Sequence, residues 1–257
     1  MPNRVEQAIF TSIRGKRMAG YQLTSRSGGI DDDVAQQLSN WGPAHDSLES
    51  RLGRNSVNVF PIDEQQLCIS YTQLAGAEYS GRAGGRVYTH CFVIDRDALA
   101  PFQFNPFPVL RAFRSAGRTQ PRRDPPPTLD SFELVGRSSN GASNTRVAVH
   151  TLLAEDICEK LMWALAAGQP VYLAGDAALD TAVEAVLQLL DDDRAEVSFT
   201  TGLRISPRRS FQLQAVPNDA VLLRQLQRNE HAVVVQLPVQ TSSPTRDTNT
   251  ISGTRLF

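Results

Sequence analysis

Short apolar runs with the periodicity of β-strands dominate the first 117 residues. The runs are rich in β-branched and aromatic residues, and Gly, Pro and Asp separate them. This composition is typical of strands that are joined by turns. We therefore predict a sheet, mainly antiparallel, with strands at residues 5–11, 20–25, 57–62, 67–72 and 87–94.

Two of these runs indicate where their strands lie in the sheet. In residues 67–71 every second side chain is large and apolar, which predicts one core face and one face towards solvent or a thin cover. This pattern favours an edge or near-edge strand. The run 87–94 is apolar on both faces, as expected for a central strand that is covered on each side.

An amphipathic helix is predicted between the second and third strands. Three aspartates at 31–33 open it, because acidic groups favour the first turn of a helix. Val34, Leu38 and Trp41 share one face, and residues 42–43 are Gly-Pro, which ends the helix. A metal site at the aspartates is the alternative. Consecutive helical residues point in different directions, so a solvated helix start is favoured.

Helices and strands alternate in the second half of the chain. A helix is predicted at 157–165, and a second helix is capped by Asp176 and reaches residue 190. Strands follow these helices at 171–173 and 197–199. This order predicts a parallel pair with a right-handed crossover. Further elements are predicted at 211–216, 220–227 and 233–235.

A change in composition divides the chain into two predicted lobes. At 257 residues the chain is near the length at which one core gives way to two. Residues 118–144 are rich in Arg, Pro, Gly and Ser, which predicts a linker, although 132–135 is open to assignment as a strand of either lobe. The predicted division is a strand-rich lobe at 1–117, the linker at 118–144, an α/β lobe at 145–238 and a polar tail at 239–257.

Composition and charge favour a folded protein of the cytoplasm. An apolar fraction of 41% is ordinary for a globular chain, and a formal net charge of -1 provides no long-range field to attract nucleic acid. Cys68, Cys91 and Cys158 match neither a zinc pattern nor a disulfide framework, which favours a reducing compartment. The polar amino terminus and the short apolar runs predict a protein that is neither secreted nor embedded in a membrane.

The reactive side chains form no recognisable catalytic motif in the sequence. The four histidines are far apart, and the loops at 136–141 and 172–177 lack the full pattern of phosphate-binding loops. We therefore predict no catalytic residue, no cofactor and no metal. A hydrolase or transferase with a site in the cleft between the lobes, using His90, Cys91 or His150, stays open as an alternative.

The densest positive run lies at the boundary between the first lobe and the linker. It consists of Arg111, Arg114, Arg118, Arg122 and Arg123, of which the first three align on one helical face. We predict a candidate interaction surface for phosphate or for an acidic protein surface. A solvated arginine face is the other interpretation, and nucleic-acid binding through the same run is a further alternative function.

A fingerprint of glycines, aromatic residues and polar residues runs through stretches 5–12, 19–30, 41–43 and 79–94. It includes Gly20, Tyr21, Ser25, Arg26, Gly29, Trp41 and Gly42. These stretches resemble the N-terminal domain, second type, of bacterial GTPase-associated protein 1. The resemblance implies a role as partner or regulator of a GTPase in a multi-component system of the conflict or defence type. Because glycines serve turn geometry, the fingerprint also fits a purely structural role.

A fainter similarity covers the second half of the chain. Residues 152–237 are similar to the central part of the eukaryotic DENN module, and a longin-like strand lobe precedes them. Such modules bind small GTPases and promote nucleotide exchange, and no catalytic residue is carried over from them. The expected fold is α+β, a strand-rich longin-like antiparallel lobe followed by a mixed α/β lobe. We predict a non-catalytic protein-interaction module whose partner is a GTPase or another component of its operon.

Overall fold

A mixed β-sheet runs through the chain in the computed structural model, which describes residues 3–14, 19–78, 85–135, 153–177, 179–190 and 196–238. Within these residues the strands are β1 (Arg4–Arg14), β2 (Ala19–Ser27), β3 (Asn55–Pro61), β4 (Gln66–Ala77), β5 (Gly85–Asp95), β6 (Thr128–Leu129), β7 (Phe132–Glu133), β8 (Val171–Gly175), β9 (Phe199–Thr200), β10 (Leu213–Pro217) and β11 (Val233–Gln236). They lie in the order β11-β8-β10-β9-β3-β4-β5-β1-β2-β6, and β7 pairs with β1 outside this path.

The direction of the strands changes in the middle of the sheet. Strands β11, β8, β10 and β9 are mutually parallel, as expected where helices provide the connections. Strands β3, β4, β5, β1 and β2 form antiparallel pairs in this order, and β6 adds to β2 in parallel. The antiparallel pair β3–β9 joins the two regions, with Asn58 opposite Thr200 and Val59 opposite Phe199. The predicted strand-rich and α/β lobes therefore share one sheet.

Helices cover both faces of this sheet. The described helices are α1 (Asp32–Trp41), a 3₁₀ helix (Arg96–Phe102), α2 (Pro106–Ser115), α3 (Glu155–Ala166), α4 (Asp180–Leu187) and α5 (Ala220–Gln227). One face carries the main core, which includes apolar side chains of α2, α3 and α4. The opposite face packs against α1 in the first half and against α5 in the second half.

The architecture is α+β, which confirms the predicted fold class. Strand β5 is flanked by β4 and β1 and is buried over most of its length, as predicted for a central strand. The prediction that residues 67–71 form an edge or near-edge strand is wrong. Strand β4 lies between β3 and β5, and both of its faces are buried from Leu67 to Thr72.

The order of strands in the second half also differs from the prediction. Strands β8 and β9 are parallel, but β10 lies between them and pairs with both. The second helix of this half begins at Asp180 with Leu179 as its N-cap, so Asp176 does not cap it. The Asp176 carboxylate instead accepts a hydrogen bond from Asn218 at 3.4 Å.

The first part of the predicted linker packs on the sheet. Strand β6 pairs with the end of β2, and β7 pairs with the start of β1. The run at 132–135 therefore contributes to the sheet of the first half. Residues 136–144 and the predicted tail at 239–257 lie outside the described residues. In the described part of the chain, every helix is too short or too polar to cross a bilayer.

Candidate functional site

Glu6 organises the turn that follows β2. Its carboxylate accepts hydrogen bonds from the Ser27 hydroxyl and, at 3.2 Å, from the Gly29 N–H, and it forms an ion pair with Arg4. A Cβ atom at Gly29 would collide with this carboxylate. The fingerprint glycine at 29 is therefore explained by close approach of a side chain to the backbone.

Arg26 connects the end of β2 to the start of α1 through hydrogen bonds. Its guanidinium donates to the backbone oxygen of Asp31 at 3.0 Å and to the Asp32 carboxylate at 2.7 Å. The Asp31 side chain accepts from the Val34 N–H at 2.8 Å, which is the geometry of an N-cap. Asp31 thus acts as a cap and Asp32 as a salt-bridge partner, and the described residues contain no group of three or more His, Cys, Asp or Glu side chains that could hold a metal ion.

Trp41 and Gly42 pack the C-terminal end of α1 against the sheet. The Trp41 ring stacks on Phe60 with centroids 4.6 Å apart and meets the ring of Phe211 edge-on at 4.9 Å. A Cβ atom at Gly42 would lie 2.5 Å from the ring of Phe10, and the same residue ends α1. Both fingerprint positions therefore set the distance between α1 and the sheet.

Tyr21 reaches across the sheet to a buried carboxylate. Its hydroxyl donates to Glu78 at 2.6 Å and accepts from the Val87 N–H at 3.0 Å, while the Ser12 hydroxyl donates to the other Glu78 oxygen at 2.7 Å. Burial, and then the hydrogen bond to the Glu78 carboxylate, raise the pKa of Tyr21 well above its ordinary value. Neighbouring Gly20 has a φ of 125°, which favours glycine.

A groove of about 470 Å³ lies between β2 and α1. Its walls combine apolar and hydroxyl groups with one ion pair, and they include fingerprint residues of β2 and one side of α1. The lining residues are Leu23, Thr24, Ser25, Arg26, Asp32, Ala35, Gln36, Ser39 and Pro127. We name this feature the β2–α1 groove. Its lining contains no histidine or cysteine, so it lacks the usual nucleophile and base pairs.

One edge of β2 is open along this groove. On its inner side β2 pairs with β1 from Ala19 to Arg26. On its outer side the described residues supply only β6, which pairs with Arg26 and Ser27. The three prolines at 125–127 directly precede β6, and proline has no N–H with which to extend the ladder. The outer edge of β2 from Ala19 to Ser25 therefore has no strand partner within the described residues.

The arginine run makes contacts within the molecule. Arg111 forms a two-pronged ion pair with Glu184 of α4, with distances of 2.8 and 3.1 Å. The guanidinium carbon of Arg114 lies 5.1 Å from the centre of the Tyr71 ring, and that of Arg118 lies 3.7 Å from the centre of the Phe132 ring. Three of the five arginines thus stabilise the packing of α2 and of the segment after it.

The remaining two arginines lie beyond α2. Arg122 and Arg123 are exposed, and the backbone oxygen of Arg123 is 3.5 Å from the Arg86 guanidinium. The structure does not bring the five arginines into one site with the fingerprint residues, except that Pro127, which follows the run, lines the β2–α1 groove. An interaction through the arginine run stays a prediction.

His90 and Cys91 point to opposite faces of β5. His90 stacks on Phe92 at 4.5 Å, and its Nε2 lies 3.0 Å from Gln7 Oε1, whereas Cys91 packs in the core under α1. Burial, and then the charges of Arg122 and Arg118, lower the pKa of His90 to about 3. Burial and the neighbouring Cys91 raise the pKa of the Cys68 thiol. The His90 imidazole and the Cys91 thiol do not form a catalytic pair, because they lie on opposite faces of β5. His150 lies outside the described residues.

A smaller cavity of about 210 Å³ lies where the two halves of the chain meet. Glu49 and Arg204 line it, and their ion pair has a distance of 3.5 Å. Arg51 contacts the same Glu49 carboxylate at 3.3 Å and also pairs with Asp219 at 2.9 Å. These charges neutralise one another, and neither histidine nor cysteine lines the cavity. The cleft between the predicted lobes therefore offers no acid–base or nucleophilic arrangement at this position.

Sequence reasoning missed the features that build the site. The open edge of β2 and the Glu78–Tyr21 contact depend on pairings between distant segments. The run of three prolines before residue 128 was an available signal, because it marks a stretch that cannot extend a sheet ladder.

Fold and site together define an α+β protein with a groove between β2 and α1. The family model described as GTPase-associated protein 1, N-terminal domain type 2, matches residues 4–132, which is half of the 257-residue chain. The chain belongs to this family. The matched region includes β2, α1 and Pro127, and so contains the whole β2–α1 groove. None of the curated proteins matches the sequence. The similarity to the DENN module stays a prediction.

Proposed function

We propose that this chain is a non-catalytic protein-interaction module that acts as partner or regulator of a bacterial GTPase. The GTPase and this chain would belong to a multi-component system of the conflict or defence type. The family description records an association with a GTPase. The proposal adds that the association is a direct contact between proteins.

The β2–α1 groove is the observation that carries this proposal. The region that matches the family builds both walls of the groove, and the fingerprint residues Ser25 and Arg26 lie in its lining. The groove joins a row of strand-edge groups to hydroxyl side chains and an ion pair, and extended polypeptide binds to strand edges through such backbone groups. Surface shape therefore supports a binding role better than a chemical one.

Affinity capture tests the proposed contact. The tagged chain is incubated with lysate of its native host in GDP or in a non-hydrolysable GTP analogue, and captured proteins are identified by mass spectrometry. We expect a GTPase to be enriched over an unrelated tagged bait, and the purified pair to bind in a direct titration. Recovery of the chain without any GTPase in both nucleotide states would contradict the proposal.

A further inference from the structure

We propose that the partner contributes an extended segment that adds to the outer edge of β2 as a further strand, lying in the β2–α1 groove. The inference deepens the proposed function, because it rests on that function for the partner and specifies how the partner is held. The occupant is a stretch of polypeptide in β conformation, with a basic side chain near the start of α1.

The outer edge of β2 is long enough for an ordinary strand. Within the described residues it has no strand partner from Ala19 to Ser25, and the five residues from Ala19 to Leu23 pair with β1 without a shift in register. Strands are commonly about five to six residues long. Strand edges carry backbone N–H and C=O groups that pair with any available strand, so natural edges are blunted by lysine, proline or a covering element. The open stretch of β2 contains neither lysine nor proline, and its one irregularity is the register shift at Thr24, beyond the regular run from Ala19 to Leu23. It therefore has the features of an edge that is kept for a partner.

The preceding segment of the chain cannot close this edge. Strand β6 runs parallel to β2 and meets it only at Arg26 and Ser27. Upstream of β6, the prolines at 125–127 stand where continued pairing would need N–H donors. Pro127 lines the groove and still accepts a hydrogen bond from the Arg26 N–H at 3.2 Å. An added segment would lie beside β2 from Ala19 to Ser25, where β6 does not pair with it.

The side chains along the groove indicate what the segment carries. Leu23 and Ala35 offer an apolar contact in the middle of the groove. At the start of α1, the Asp32 carboxylate lines the groove and pairs with Arg26, and residues 26–33 together carry three carboxylates and one guanidinium, an excess of two negative charges. Complementary charge favours a basic side chain at this end of the segment, although salt screens such exposed charges.

A peptide library tests the edge without requiring knowledge of the partner. Random displayed peptides of about twelve residues, enough for two ordinary strands, are selected on the intact chain. Binders are then mapped by hydrogen exchange. We expect selected peptides to protect β2 amides between residues 20 and 25 and to be enriched in Lys or Arg. Failure to select any peptide that protects this edge would overturn the proposal.

A matched pair of variants shows whether the groove itself is used. Gln36 is exposed and lines the groove, whereas the adjacent Gln37 does not line it. Gln36→Trp should fill the groove and weaken peptide binding by about tenfold or more, a loss equivalent to 1.4 kcal/mol. Gln37→Trp should leave binding unchanged. Equal binding by both variants would contradict strand addition in this groove. Circular dichroism and melting curves check that both variants fold.

The same pair of variants separates this inference from the proposed function. If a GTPase binds the chain and Gln36→Trp does not weaken it, the GTPase contact stands and the edge proposal fails. If peptides occupy the edge and no GTPase is captured, the edge proposal stands and the proposed function fails. A dimer in solution that Gln36→Trp dissociates would identify a second copy of this chain as the occupant, and would overturn the assignment to a partner.

Discussion

Gly42 shows how one missing side chain sets the packing of a helix on a sheet. Its φ of −58° is accessible to any residue, so backbone strain does not explain the glycine. A Cβ atom would lie 2.5 Å from two atoms of the Phe10 ring, which is 5% exposed and cannot swing into solvent. Glycine is needed here because α1 comes too close to the sheet for any other residue.

We therefore predict that Gly42→Ala lowers the free energy of unfolding by about 1–3 kcal/mol through overpacking. Gly28 provides the control, since a Cβ atom there meets nothing within 4 Å and the backbone is not left-handed. Gly28→Ala should change stability by less than about 0.5 kcal/mol. Urea denaturation of both variants measures the difference. Similar stabilities for the two variants would contradict this explanation of the fingerprint glycine.

His90 is a buried base that the folded protein keeps neutral. Gln7 donates through its side-chain nitrogen to the backbone oxygen of Asp130, so its other atom, Oε1, accepts from His90 Nε2. Burial, with the charges of Arg122 and Arg118, lowers the pKa of this imidazole to about 3, whereas an unfolded histidine titrates near 6.5. Below pH 6.5 the unfolded state therefore binds a proton that the folded state excludes.

This difference predicts a stability that is constant above about pH 6.5 and falls as the pH drops towards 3. The contribution of His90 to the slope is about 1.4 kcal/mol per pH unit within this window. Denaturation curves at several pH values compare the protein with His90→Gln, in which this contribution is absent and the slope is shallower by about one proton. Parallel pH profiles for the two proteins would show that His90 is not buried and neutral.

At the scale of elements, one carboxylate joins α2 to α4. Glu184 accepts hydrogen bonds from Asn105 at 2.9 Å and from Arg111 at 2.8 and 3.1 Å. Asn105 is the N-cap of α2, where it accepts from the Phe107 N–H. The position of α2, and of the arginines on it, therefore depends on a residue of the second half of the chain.

Glu184→Ala should destabilise the protein by about 1–2 kcal/mol, because Asn105 and Arg111 lose their acceptor at a site where Glu184 itself is only 16% exposed. The exposure of Arg111 keeps the effect modest. Glu159→Ala on α3 is the control. It makes the same change from glutamate to alanine at an exposed position, and it should have almost no effect on stability. Thermal melts distinguish the two variants, and an unchanged melting temperature for Glu184→Ala would refute the anchoring role.

At the scale of the whole molecule, the pair β3–β9 ties the two halves of the sheet together. The Thr200 hydroxyl donates to Asn58 Oδ1 at 2.7 Å, and Asn58 donates onward to the hydroxyls of Ser70 and Thr72, both at 3.1 Å. All of these side chains are buried. A fully paired polar network in a core resists partial opening, since separating its members leaves buried groups without partners.

We expect the two halves to unfold in one cooperative transition. Hydrogen exchange in low urea should give the same free energy of opening for the amides of β5 and of β8. Thr200→Val should lower this free energy by about 1–2 kcal/mol in both strands. Thr128→Val is the control, because Thr128 is exposed at the edge of the sheet. Protection of β5 that survives the loss of protection in β8 would indicate two independent lobes.

The periodicity of the amino-acid sequence was sufficient for most elements and for the α+β class. It predicted α1 and the central position of β5, because both depend on side chains that are close together in the sequence. It misplaced β4, because Ser70 and Thr72 resemble a solvated face, whereas both are buried and hydrogen-bond to side chains of the neighbouring strands. It also missed that β10 lies between β8 and β9.

The chain's own residues thus dictate where strands, helices and turns form, and they carry the fingerprint of the GTPase-associated family. The order of the strands, the shared sheet and the open edge of β2 arise only when distant segments meet. The physical reason is the sequence separation over which each interaction acts. Backbone preferences and side-chain periodicity act between near neighbours, whereas strand pairing and the burial of polar groups depend on partners more than a hundred residues away, such as Thr200 for Asn58.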